Sequence, residues 1–335
     1  MPVLMGSDQH ALRYAAQTLA EGGLVAFPTE TVYGLGARAD QTSAVARIFA
    51  AKGRPTDHPL IVHVRDLADG EAFAATLNAD ARRLAQAFWP GPVTLVVPRR
   101  EGVAEAASGG QDSIALRCPA HPVAQALLTE CASLGVRGIA GPSANRFGRV
   151  SPTTAAHVAE EFDADLVVID GGACTVGIES AIVDCTRLRP VLLRPGVLTR
   201  AALERVLGCA LDERDAGAPR APGTLEAHYA PQAALRLVDA RMLRELPPVG
   251  PEVAVYSRTR PDAPDGVTWW PMPADAVAAA HELFATLRAL DRAQIREIWV
   301  EQPPSAPEWD GVRDRLRRAA AGSAVDRPVQ EMESK

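Results

Sequence analysis

Lysine is almost missing from this sequence. Of 35 basic residues only Lys52 and Lys335 are lysines, and Lys335 is the last residue. Arginine is a rigid planar fork and lysine a compact point charge on a flexible stem, so the two do not exchange freely at a phosphate or a reaction centre. One internal lysine, in Lys52-Gly53-Arg54, is therefore a position to explain. No stretch approaches the ~20 uncharged apolar residues of a membrane span, which argues against a membrane protein. The N-terminus, Met1-Pro2-Val3-Leu4-Met5-Gly6-Ser7-Asp8, lacks a basic region followed by an apolar core, so no signal peptide is expected. The five cysteines, Cys118, Cys131, Cys174, Cys185 and Cys209, include no C-x-x-C pair. That argues against a structural zinc site and predicts reduced thiols in a cytoplasm, all five as packing residues.

Other chemical signatures are absent too. There is no G-x-x-x-x-G-K-[ST] loop, no G-x-S-x-G elbow and no H-E-x-x-H helix. Gly34-Leu35-Gly36 follows a strand but lacks the third glycine of a dinucleotide loop, and reads as a turn. A net charge of −6 argues against a protein built to coat nucleic acid.

At 335 residues the chain suggests two domains, and 47% hydrophobic with 23% charged residues is a globular balance. Helical spacing appears over 8–21, 42–51, 79–88, 121–134, 153–162 and 199–207. Short apolar strands are expected at 24–27, 60–64, 93–97, 114–116, 166–169, 181–183 and 191–193. Residues 211–233 are punctuated by Pro and Gly and read as a linker and possible lid. Beyond them, strands at 235–238, 253–256 and 297–300 alternate with helices at 275–291 and 309–320. The expected organisation is an α/β catalytic domain with a mixed sheet over 1–210, the linker 211–233, a smaller α/β domain over 234–322 and a polar tail 323–335.

Five loops rich in small polar residues sit at strand ends, where α/β sheets place ligands. They are Pro28–Gly36, Lys52–Pro59 running into His63, Gly141–Asn145 followed by Ser151-Pro152-Thr153, Gly177–Ser180, and Leu193–Gly196. Lys52, Arg54, Arg117 and Arg194 would supply cations to an anionic ligand if these loops converge. Each polar residue alone has a plainer explanation. Thr29 and Thr31 would satisfy turn backbone, His63 would be a hydrogen-bonded core histidine, and His58 a surface residue. Ser151 before Pro152 reads as a helix N-cap, a position compatible with anion binding.

Taken together, Pro28-Thr29-Glu30-Thr31-Val32-Tyr33-Gly34-Leu35-Gly36, Lys52-Gly53-Arg54-Pro55 with Pro59-Leu60-Ile61-Val62-His63, and Pro142-Ser143-Ala144-Asn145 resemble the YrdC-type threonylcarbamoyl-AMP synthases, over about residues 8–208. His228-Tyr229-Ala230-Pro231 and the extra α/β unit look like the long, two-domain form of that family. The resemblance implies a twisted mixed sheet around a basic cavity, and a smaller Rossmann-like second domain. It implies ATP-dependent synthesis of L-threonylcarbamoyladenylate from L-threonine, bicarbonate and ATP, with pyrophosphate released. Magnesium would arrive with ATP, and downstream transferases would carry the product to tRNA; direct tRNA binding is left open.

Carried over residue by residue, the resemblance puts L-threonine near Thr31, His63, Arg117 and Ser180. ATP falls near Arg54, His58, Ser113, Ser143, Ser151, Arg194 and the linker's Tyr229, and Lys52 with Arg54 forms the basic element facing the phosphates. The chain departs from the family at His58, often asparagine there, and at Pro222–Ala227, where a basic and aromatic run is common. Two rival readings differ in class. An RNA-binding factor is disfavoured by the charge and by the lack of an aromatic-plus-basic stripe. The carbamoyl-transfer module of hydrogenase maturation would bring cysteine-pair zinc motifs that this sequence lacks.

Overall fold

The computed structural model describes residues 1–245, 250–261, 267–291 and 294–325. They divide into two compact units, Met1–Phe147 with Ser151–Thr224, and Gly148–Val150 with Leu225–Lys335.

The first unit runs β1 (Val3–Met5), α1 (Gln9–Ala20), β2 (Val25–Phe27), β3 (Gly34–Arg38), α2 (Thr42–Lys52), β4 (Ile61–His63), α3 (Leu67–Glu71), α4 (Ala79–Phe88), β5 (Val93–Pro98) and β6 (Ser113–Arg117). It continues with α5 (Pro122–Ser133), β7 (Ile139–Ala140), α6 (Ala155–Ala159), β8 (Val167–Asp170), β9 (Ala181–Asp184), β10 (Val191–Arg194) and α7 (Arg200–Leu207). Among the described residues these strands form a ten-stranded sheet in the order β1-β8-β2-β3-β7-β4-β6-β5-β9-β10. The sheet is mixed: β4 pairs β6 in parallel, for example, while β5 pairs β6 antiparallel.

The helices form where the pattern asks for them. In α1 the residues Leu12, Ala15, Ala16 and Leu19 are buried at helical spacing, and the Asp8 carboxylate caps the start by accepting from the His10 N–H. They pack with Ala124, Leu127, Leu128 and Cys131 of α5 over Val25 and Phe27. A larger core gathers Val45, Ile48 and Phe49 of α2, Leu84 of α4 and Leu203 of α7 against the central strands. Burying such side chains is worth about 25 cal/mol per Å² of apolar surface and is the main force holding the layers together.

Three expectations need correction here. Gly34-Leu35-Gly36 is not a turn but the first half of β3, pairing with β2. Glycine is required in this strand because a Cβ on Gly36 would fall 2.7 Å from Ile139 and 2.9 Å from the Phe27 ring. The helix expected over 153–162 is shorter, and Thr154, not Ser151, is its N-cap, its hydroxyl accepting from the His157 N–H. Cys118, Cys131, Cys174 and Cys185 are buried, but Cys209 is exposed, since it lies just past α7 where Gly208 ends the helix.

The second unit contains β11 (Ala234–Val238), α8 (Ala240–Arg244), β12 (Val253–Ser257), β13 (Thr268–Pro271), α9 (Ala276–Leu290), β14 (Glu297–Glu301) and α10 (Asp310–Val325), with a short 3-10 turn, Pro307–Trp309, before α10. Its four described strands are all parallel, ordered β11-β14-β12-β13. The last helix outruns the expected 309–320, so residues 323–325 are helical and not tail. There the Ser323 hydroxyl donates to the Ala319 carbonyl one turn back and accepts from the Leu235 N–H. The rest of the expected tail, 326–335, lies outside the described residues. No helix among the described residues is long and apolar enough to cross a membrane.

Candidate active site

The five loops converge within the first unit. Tyr33 and Leu35 donate backbone N–H groups to the carbonyls of Pro152 and Pro142, and Ala144 returns one to Tyr33. The first loop is thereby stitched to the third. Val176 N–H donates to the Glu30 carbonyl, tying the fourth loop to the first.

Thr29 and Thr31 meet different fates. The Thr29 hydroxyl donates to the Val32 carbonyl at 2.6 Å and accepts the Thr31 and Val32 N–H groups, so it serves the turn. The Thr29 and Thr31 hydroxyls lie 2.8 Å apart. The oxygen of Thr31 in turn accepts from Arg117 Nη1 at 2.8 Å. Arg117 ends β6 in register with His63 at the end of β4. Both are buried, at 3% exposure each. His63 stands edge-on to the Phe27 ring with centroids 5.4 Å apart, and its Nδ1 has no hydrogen-bond partner among the described residues. Burial, aided by the Arg117 charge, pushes the imidazole pKa down to about 3, so the ring is neutral at pH 7.

Segment 91–94 joins this group to Ser180. Gly91 O accepts from Arg117 Nε, Pro92 O accepts from the Ala181 N–H, and the Thr94 and Ser180 hydroxyls lie 2.8 Å apart. Arg194, at the end of β10, lays its fork on the same residue. Nε and Nη2 donate to the Ser180 carbonyl at 3.1 and 2.9 Å, and Nη1 donates to Pro222 O at 2.9 Å. The four residues expected around threonine, Thr31, His63, Arg117 and Ser180, thus form one buried cluster.

The residues expected around ATP are more scattered. Lys52 closes α2, where Gly53 at φ +62° turns the chain through a left-handed cap that other residues resist. The lysine is buried, and its Nζ donates to the backbone oxygens of Ser143 at 2.6 Å and of Asn145. Burial drives the ammonium pKa well below the ordinary lysine value, the Arg54 charge pushes the same way, and Glu161 opposes them. Arg54 donates to Pro59 O at 3.0 Å and stacks 5.6 Å above the Phe147 ring, while His58 reaches the same ring at 5.5 Å. The His58 imidazole is pushed below its usual value by burial and then by Arg54. Ser151 donates to Glu179 Oε1 at 2.6 Å, linking the third and fourth loops. Ser113 opens β6 opposite Pro98. Tyr229 belongs to the second unit, with φ +63°, packed against His228 and Phe284 and beneath the Arg315 guanidinium.

Two buried carboxylates escaped the sequence reading. Glu179 is the acceptor for Ser151, and Glu30 lies against Arg117, its Oε1 2.7 Å from Nη2. Both stand inside loops already singled out, so their charge among threonines and glycines was the available signal. Among the described residues no group of three or more His, Cys, Asp or Glu could hold a metal ion. The arrangement offers oriented cations and hydroxyls, suited to holding anionic groups in place.

The chain matches the family described as Telomere recombination over residues 17–196, and the one described as Threonylcarbamoyl-AMP synthase, C-terminal domain, over 198–321. It is 40% identical to the threonylcarbamoyl-AMP synthase of Pyrococcus abyssi across 93% of this chain and 95% of that relative. With the synthase of the same name from Bacillus subtilis it shares 34% identity over 96% of each. A crystal structure of P. abyssi Sua5 complexed with L-threonine superposes with a TM-score of 0.86 at 37% identity, covering 96% of this chain and 98% of that one.

Proposed function

The chain belongs to the threonylcarbamoyl-AMP synthases, in their two-domain form, and from that premise we propose that it makes L-threonylcarbamoyladenylate from L-threonine, bicarbonate and ATP, releasing pyrophosphate. The observation that carries the reading is the buried cluster of Thr31, His63, Arg117 and Ser180, in a fold shared with a relative solved in complex with L-threonine.

In this reading the threonine amine and bicarbonate condense to a carbamate, expelling water. A carbamate oxygen then attacks the α-phosphorus, and the bond to pyrophosphate breaks. Both partners are anions, so the work falls to positioning and to cations, not to a nucleophilic side chain. Arg117 meets the threonine carboxylate, with Thr31, neutral His63 and Ser180 around the rest of the amino acid. Arg54, His58, Ser113, Ser143, Ser151 and Arg194 line the nucleotide side. Lys52 serves the phosphates by holding the Ser143–Asn145 loop in place. Magnesium enters as part of the nucleotide substrate, keeping several of its waters. The product passes to transferases that modify tRNA, in the cytoplasm.

Pyrophosphate release from ATP, followed with and without threonine and with and without bicarbonate, tests the reading. Release is expected only when both are present; release that ignores either omission overturns it.

A further inference from the structure

Glu30 has no part in the mechanism above, yet among the described residues it is the carboxylate that pairs with Arg117. It is 6% exposed, and its two oxygens do different things. Oε2 accepts the Ala120 N–H at 3.0 Å, three residues beyond the end of β6. Oε1 lies 2.7 Å from Arg117 Nη2, and both atoms are inaccessible to solvent. The backbone of Glu30 is itself held, its carbonyl accepting from the Val176 N–H at 2.7 Å. One carboxylate therefore ties the guanidinium to the main chain that carries it. Hydrogen bonds to Thr31 at Nη1 and to Gly91 O at Nε hold Arg117, while Glu30 meets Nη2 as a close ion pair whose atoms are not aligned for a hydrogen bond.

We propose that Glu30 is a positioning residue for threonine: it sets the plane of the Arg117 guanidinium that receives the amino acid carboxylate. Oε1 is turned to Arg117 and Oε2 to the Ala120 N–H, so Glu30 acts through Arg117. An arginine fork recognises a carboxylate by two parallel hydrogen bonds, and this demands an oriented plane as well as a charge. Glu30 also leaves the pair formally neutral, which keeps a buried cation from standing alone. The proposal rests on the reading of Arg117 as a threonine contact.

The test is steady-state pyrophosphate release by wild type, Glu30→Gln, Arg117→Gln and the double variant, with threonine and ATP varied in turn. Glu30→Gln keeps the size and an acceptor for Ala120 but removes the charge. It is expected to raise the KM for threonine about 10- to 100-fold, the size of one lost hydrogen bond to a charged group. The KM for ATP and kcat at saturating threonine should stay within about threefold of wild type, because positioning acts on one substrate only. The double variant should be no worse than Arg117→Gln, since Glu30 works only through that side chain. An unchanged threonine KM in Glu30→Gln, or equal rises for both substrates, overturns the proposal. Glu30→Asp, which returns the charge one methylene back, should recover part of the threonine KM, also if Glu30→Gln proves too unstable to assay. If Glu30→Asp recovers none of it, the proposal fails as well. A wild-type enzyme indifferent to threonine would instead remove the functional reading itself, before any variant is compared.

Discussion

Lys52 Nζ donates to the backbone oxygen of Ser143 at 2.6 Å, closing a contact between residues 91 positions apart in the chain. A second bond to the Asn145 oxygen makes the only internal lysine a clamp on the third loop. Lys52→Met would leave two carbonyls without their charged donor. It is expected to cost about 2–3 kcal/mol of stability, read by urea denaturation, and roughly 100-fold or more in pyrophosphate release. Lys52→Arg should remain folded and still lose most of its turnover, because a planar fork does not fit where a compact ammonium is enclosed. Near-normal turnover in that variant would show the lysine to be incidental.

Arg194 spreads its donors over two carbonyls, those of Ser180 and Pro222. A lysine there has one nitrogen and cannot reach both with the same geometry. Arg194→Lys is expected to raise the KM for ATP about tenfold or more and to lower the unfolding midpoint, measured by steady-state kinetics and thermal melting. Wild-type values for both would count against this assignment.

His63 makes the stability of the protein depend on pH in a defined direction. Its pKa in the folded state is held down to about 3 by burial, against 6.5 for an ordinary histidine. Between those values the unfolded chain carries a proton at this residue that the folded chain does not. Stability is therefore fully present above about pH 6.5 and is lost as pH falls, by roughly 1.4 kcal/mol per pH unit from this residue. Urea midpoints from pH 4 to 7 should fall more steeply in acid for wild type than for His63→Asn, by about one proton. Equal slopes would mean that His63 is protonated in the folded protein.

The cysteines give a test of the fold that needs no substrate. Cys209 is exposed, while Cys118, Cys131, Cys174 and Cys185 are buried. Burial also raises the thiol pKa, to about 11 for Cys118 and about 12 for Cys131 and Cys174, and upward for Cys185, so little thiolate is present there. A thiol reagent at pH 7.5 should titrate one cysteine quickly in the native protein and five in urea. Rapid reaction of more than one native thiol would contradict the burial of Cys118, Cys131, Cys174 and Cys185.

Much of this architecture could be read from residue pattern, because apolar runs such as Val93–Val97 and amphipathic stretches such as 79–88 carry their own local signal. What escaped was set by neighbours distant in sequence. The two residues of β7 make a strand only because β3 and β4 flank them. The glycines of β3 look like a turn until the Phe27 ring that fills their space is known. In the same way the sequence singled the loops out, but it did not show their internal wiring. Nothing near Lys52 announces that its partners are carbonyls at 143 and 145, and nothing beside Glu30 announces Arg117. Backbone acceptors have no letter in a sequence, and a buried ion pair is written at two remote places.

Gly148–Val150 belong to the second unit although the chain on both sides of them belongs to the first. Ala230 donates its N–H to Gly148 O, and Arg288 donates to Val150 O. A gene cut after residue 224 would thus still encode these three residues while deleting Ala230 and Arg288, which bond to them. The boundary between the two modules cannot be moved to a single peptide bond. A laboratory chimera that swaps the C-terminal module must exchange residues 148–150 along with it.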